Sequence, residues 1–321
     1  MSGIVLGIAQ KIPLGARASK KEDAFKQRAK QYHYQTEYNS QKLLANFWSK
    51  LIEHKRETED ISFLKENVAW LKSMVQVSKK LYSNGKITQQ ALLDIQIRLQ
   101  QVQSSIAQKQ GMIDSINAAI AYTVGKEVNV SIKNIPWEKV KSVKTHDDPM
   151  KASFKAAVLA AELDQASSKW AMLPDVTVAF SYTKRSNIDG RGDFVGVNFS
   201  MPLPFGTTRS SQEAVAANQW VAAKSSLKDY NQTKTTSLYS LTKVASALEQ
   251  QLALTKKSLS FARTAKEVSS KSYRIGGVSY FDLLQSELRL QEIELKANEL
   301  EAKLSENYIQ QKLWNSDMVI Q

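Results

Sequence analysis

From residue 16 to residue 84, and again from 207 to 275, the chain contains neither glycine nor proline. Each run is 69 residues long. At 1.5 Å per residue, either could form one helix of about 100 Å, whereas helices of ordinary globular domains run about 8–20 residues. A chain with two such runs cannot bury them inside one compact core. It must pack them lengthwise against other helices.

The runs are copies of one another. Adding 191 to a position carries Pro13 onto Pro204, Gly15 onto Gly206, Tyr82 onto Tyr273 and Gly85 onto Gly276. Ile87 meets Val278 and Thr88 meets Ser279. Leu92, Leu93, Arg98, Leu99 and Gln100 meet Leu283, Leu284, Arg289, Leu290 and Gln291. The register needs no insertion, which reads as an internal duplication with a 191-residue offset.

Each copy opens with alternation of period two, the mark of a strand. Ile4, Leu6 and Ile8 face one way in the first copy, and Val195, Val197 and Phe199 in the second. A Pro-x-Gly turn follows, then the long helix. A glycine turn reverses the chain, and a return helix is expected over about Ile87–Val124 and about Val278–Trp314. The second copy adds a preceding helix that begins at an Asp-Pro pair and a further strand with Val176, Val178, Phe180 and Tyr182 on one side. The turn-rich SNIDGRG then links the two strands. The expected organisation is a first partial repeat over 1–125, a connecting segment over 126–147, a second repeat over 148–316 and a tail over 317–321. The first copy lacks the leading helix and strand, so the reading expects an N-terminally truncated chain whose natural form carries further residues, a signal peptide among them.

Composition narrows the function. There is no cysteine, so disulfides and thiolate metal sites are excluded. His33, His54 and His146 show no ligand spacing. No window approaches the 18 or more apolar residues of a membrane-spanning helix, although barrel strands remain possible. The +13 charge lies along polar helices without a run of five basic residues, which argues against nucleic acid. No phosphate-binding loop, metal spacing or nucleophile motif is present, so an enzyme is not expected, nor a metal or cofactor. Asp147-Asp148 precedes a helix and reads as a cap.

The fold class is therefore mostly α with a small β part: long antiparallel helical hairpins joined to β-hairpin strands. Strands from a single chain make too small a barrel to hold a lumen. Identical copies pooling strands remove the open edges. LPDVTVAFSY followed by FVGVNFSMPLPFGTTRSSQEAVAANQ, and YRIGGVSYFDLLQSELRLQEIELKANELEAKL, resemble the TolC-like outer-membrane efflux proteins over essentially the whole chain. The resemblance implies a homotrimer with a twelve-stranded barrel in outer-membrane lipid and a helical tunnel, the α-barrel, across the periplasm of a Gram-negative bacterium. It implies a passive conduit of a tripartite efflux or type I secretion system, with a periplasmic adaptor (membrane fusion) protein and an inner-membrane transporter as partners.

On that resemblance the glycine turns form the gated tip, with Tyr82, Gly85, Tyr273, Gly276, Gly277 and Asp282 as tip residues. Gly276 and Gly277 are expected to supply a positive-φ reversal. Asp282, repeated by threefold symmetry, gives a carboxylate ring attractive to cations, or else it begins the return helix as a favourable charge at its N-terminus. Val176, Val178, Phe180, Val195, Val197 and Phe199 are expected to face lipid. Ala91 and Val278 stand where relatives often carry an acidic and a basic residue, so the salt links that close the tip in some members lack these two groups here. The alternative is a soluble coiled-coil or helical-hairpin adaptor or scaffold, which explains the long runs and the charge but not the duplicated strands.

Overall fold

The structure, a computed structural model, describes residues 3–128, 130, 147–185, 192–202, 208–274 and 277–318. These form β1 (Gly3–Ile12), α1 (Arg17–Ser83), α2 (Gln89–Val124), α3 (Pro149–Trp170), β2 (Val176–Arg185), β3 (Phe194–Ser200), α4 (Thr208–Arg274) and α5 (Tyr280–Trp314). Both glycine-free runs are helical: α1 and α4 have 67 residues each, and adding 191 to the bounds of α1 gives those of α4. The return helices begin two residues later than the pattern suggests, because Thr88 and Ser279 act as extended N-caps. Two compact units form, residues 1–39 with 147–234 and residues 40–146 with 235–321, so each draws on both halves of the chain.

In the first unit, β2 is the central strand of an antiparallel sheet ordered β1-β2-β3. Ile8 pairs with Phe180, and Phe180 with Val197. Helix α3 buries a face of small residues, Ser153, Ala156, Ala160 and Ser167, which allows close approach. Its ends are tied by charge. Asp148 caps α3 by accepting from the Lys151 backbone N–H at 2.9 Å, as its place before Pro149 predicts. The same carboxylate accepts the Tyr230 hydroxyl at 3.0 Å and pairs with Lys234 at 2.6 Å. Burial, with the Asp148 charge beside it, pushes the Tyr230 phenol up. Asp164, also buried, is held by Lys21 at 2.9 Å and by Arg28. Gly15 adopts φ +79°, and a Cβ there would sit 2.3 Å from the Trp170 ring, so both backbone and space require glycine.

In the second unit, Leu64, Leu71, Met74 and Val75 of α1 pack with Ile95 and Val102 of α2 and Leu283 of α5. Tyr273 of α4 and Tyr280 of α5 lean on this core. The hairpins α1–α2 and α4–α5 thus share one apolar seam near their turns.

Candidate functional site

The sheet is apolar on one face and small or polar on the other. Residues opposite one another in an antiparallel pair point the same way. The register therefore gathers Ile4, Leu6, Ile8 and Ile12 of β1, Val176, Val178, Phe180 and Tyr182 of β2, and Val195, Val197 and Phe199 of β3 on one face, with Gln10 and Lys184 as its polar members. The opposite face carries Gly7, Ala9, Lys11, Thr177, Ala179, Ser181, Thr183, Gly196, Asn198 and Ser200, with Val5 and Phe194 as its large apolar residues. A half-solvated sheet normally turns its apolar face to the core. Here the apolar face is open, as the other is: Ile8 is 78% exposed, Val195 72% and Phe199 73%, and Val5 on the opposite face 63%. Phe180 and Val197 are also exposed, while Val176 and Val178 are half-buried. Strands β1 and β2 have ten residues each, within the 9–11 or so that a tilted strand needs to cross a bilayer's hydrocarbon.

The two turns lie together in the second unit. In the first, the Gly85 N–H donates to the Tyr82 carbonyl at 2.9 Å and the Lys86 N–H to the Leu81 carbonyl at 2.8 Å. With Gly85 at φ +67°, this is a Schellman ending. In the second, the Gly277 N–H donates to the Ser272 carbonyl at 2.8 Å, the same bond 191 residues on. Gly276, expected to share the reversal, lies outside the described residues. Tyr82 is exposed. Tyr273 instead turns inward, its ring 6.3 Å from that of Tyr280 in an edge-on contact. Burial raises both phenols, so they stay neutral. Asp282 is exposed and closes a capping box: Ser279 Oγ accepts from the Asp282 N–H, and the Asp282 carboxylate accepts from the Ser279 N–H at 3.2 Å. A cleft of about 1030 Å³ opens between the turns, lined among others by Trp70, Ile87, Tyr273, Val278 and Phe281.

No protein-family model and no curated protein sequence matches the chain. Solved structures do. The outer-membrane channel OprN superposes with a TM-score of 0.84 at 14% identity, covering 98% of this chain and 81% of that one. CusC gives 0.83 at 14%, covering 98% and 77%. VceC of Vibrio cholerae, an outer-membrane protein, gives 0.81 at 14%, covering 98% and 79%. This chain has the TolC-like outer-membrane channel fold. In that fold the expected site residues fall into two groups, the strand residues on the sheet's apolar face and the turn residues in the second unit.

What sequence reading missed in this TolC-like fold is a pair of buried ionic sites in the second unit. Glu57 of α1 is 1% exposed. It pairs with Lys109 of α2 at 2.9 Å and with Arg56. Lys109 also reaches Asp60 at 2.6 Å, and Asp60 accepts from Asn298 of α5 at 2.7 Å. Burial pushes the Glu57 carboxyl up, but hydrogen bonds and charge from Lys109 and Arg56 outweigh it and leave the group below its ordinary value. Nearer the turns, Glu287 of α5 is 3% exposed. It pairs with Lys266 of α4 at 2.6 Å and accepts from Asn67 of α1 at 3.0 Å. Asn67 and Arg98 of α2 both donate to Gln291 beside it. Here burial wins, and Glu287 is raised. Spacing alone offers no signal for either site, because carboxylates are spread around all faces of these helices.

Proposed function

We propose that the chain is the outer-membrane channel subunit of an export system. Three copies pool their strands into one barrel in outer-membrane lipid, and their helices continue the conduit into the periplasm. The observation that carries this reading is the sheet: its mostly apolar face is uncovered, β1 and β2 match the bilayer in length, and among the described residues β1 and β3 each pair on one side only. No helix among the described residues is long and apolar enough to cross a membrane, so the sheet is the part suited to lipid. The conduit performs no chemistry and needs no cofactor. The turn end is the gate, facing a periplasmic adaptor and an inner-membrane transporter. Asp282, exposed there, forms a threefold ring that attracts cations.

The test is light scattering of the detergent-purified protein, followed by conductance in planar bilayers. Three protomer masses and discrete cation-preferring conductance, weakened in preference by Asp282→Asn, support the reading. A monomer that stays soluble without detergent overturns it in favour of a soluble helical scaffold.

A further inference from the structure

Where the strands of the first unit give way to helices, two clefts meet at Asp164. One, of about 430 Å³, is lined by Lys11 near the end of β1, Arg17 and Lys21 of α1, Ser168 of α3 and Asp175. The other, of about 370 Å³, adds Arg28 of α1 and Gln219 of α4. Lys21, Asp164, Ser168 and Gln212 line both. Clefts of this size hold small molecules.

Their charges are layered. Asp164 and Asp175 are buried. Lys11 at 2.9 Å and Arg17 at 3.8 Å pair with Asp175. Lys21 at 2.9 Å and Arg28 pair with Asp164. Lys11, Arg17 and Lys21 are exposed and Arg28 is half-buried. Buried carboxylates thus fix cationic groups that remain open to solvent. The Ser167 hydroxyl donates to the Arg17 carbonyl at 3.0 Å and ties α3 to the start of α1. The described lining holds four cations and two carboxylates, which leaves two positive charges in excess. The four cations carry about 16 N–H donors, and the two carboxylates offer about eight acceptor sites. The duplication sharpens the asymmetry. Adding 191 to Lys21 and Arg28 gives Gln212 and Gln219 of α4, which line the same clefts. One helix supplies charge there, and its counterpart supplies neutral amides.

We propose that the joined clefts are a binding site for a phosphoryl group. A phosphate monoester carries close to two negative charges, which match the excess, and its oxygens take several donors at once. Arg17 and Arg28 present the planar fork that suits them, and Lys11 and Lys21 act as point charges. A carboxylate ligand would balance only one of the two charges. The group could come from a soluble phosphate or from a phospholipid headgroup. Lys11 stands on the sheet face opposite the apolar one, which favours the soluble form. The site is complete within one chain and does not rest on the channel reading.

The test is isothermal titration calorimetry on the detergent-purified protein at fixed ionic strength, with inorganic phosphate as the soluble probe, dihexanoyl phosphatidic acid as the lipid probe and chloride as the blank. Phosphate is expected to bind where chloride does not, and more weakly as salt rises. Gln212 is exposed, so Q212E leaves the fold and every cation in place while adding a carboxylate to both clefts. It should weaken binding about tenfold. Q232E makes the same charge change about 30 Å further along α4 and should stay within about twofold. Phosphatidic acid that binds no tighter than phosphate assigns the soluble source. Tighter binding of phosphatidic acid, lost alike in Q212E, assigns the headgroup, and either result supports the site. Binding of neither probe beyond chloride, or equal binding in Q212E and Q232E, overturns the proposal.

Discussion

The hairpins α1–α2 and α4–α5 share their helix bounds under a shift of 191, yet each buries its charge where the other is uncharged. Glu57 and Lys109 form an ion pair in the first hairpin; the matching positions in the second are Leu248 and Leu300. Lys266 and Glu287 form one in the second; the matching positions in the first are Val75 and Gln96. The turns differ likewise. Thr88 caps α2 alone, with Ala91 at the third helical position, whereas Ser279 and Asp282 cap α5 reciprocally. One backbone pattern therefore tolerates either chemistry at a given level, and it is the placement of charge that makes the halves unequal.

The largest effect is expected from Lys109→Leu, which installs the second hairpin's residue in the first. It leaves Glu57 and Asp60 buried with one cation fewer, and denaturant unfolding should show a loss of about 3–5 kcal/mol. Adding Glu57→Leu completes the exchange and should recover part of that loss, because an apolar pair replaces a buried ionic one. No recovery would mean that the seam of the first hairpin cannot take the second's packing.

Next is Gly85→Val. A Cβ at Gly85 meets nothing within 4 Å, so the cost comes from a β-branched residue at φ +67°. It should reach about 1–2 kcal/mol, with Gly85→Asn costing clearly less. Equal costs for Val and Asn would place the penalty in packing instead.

Exchange of the caps follows. Asp282→Ala makes the second turn resemble the first and should lower stability by about 0.5–1 kcal/mol. Ala91→Asp, its reciprocal, should raise stability by a similar or smaller amount, read as a shift in unfolding midpoint at unchanged slope.

The smallest effect at neutral pH is that of Glu287→Gln, within about 1 kcal/mol of neutral, because the burial that raises this carboxyl opposes what Lys266 supplies. Its pH dependence is the sharper measurement. Burial raises the Glu287 carboxyl above its ordinary value of 4.5. The folded state thus holds that proton more tightly than the unfolded chain does. The stability this contributes is fully present below 4.5 and is lost as pH rises through the raised value. The Gln variant should gain on the wild type as pH climbs from there towards neutrality. Glu57 has the opposite sign: lowered, it contributes above 4.5 and fades on acidification. A Glu287→Gln advantage that does not grow with pH would remove the contrast between the two buried glutamates.

The sequence by itself determined the scaffold. Absence of glycine and proline set the bounds of α1 and α4 to within a residue or two, since little else breaks a helix. The Pro13-x-Gly15 turn, the reversal at Gly85 and the alternation in β1, β2 and β3 were equally legible, being local rules of backbone and side-chain period. The residues of the apolar sheet face could be named in advance, but not that nothing among the described residues covers them. Only tertiary structure decided which charges are buried. Long helices that carry Lys, Glu, Gln and Asn on every face give no period that separates Glu57 and Glu287 from their exposed neighbours. A carboxylate is stable in such a seam only where the facing helix brings Lys109 or Lys266 within reach, and that contact joins residues 52 and 21 positions apart.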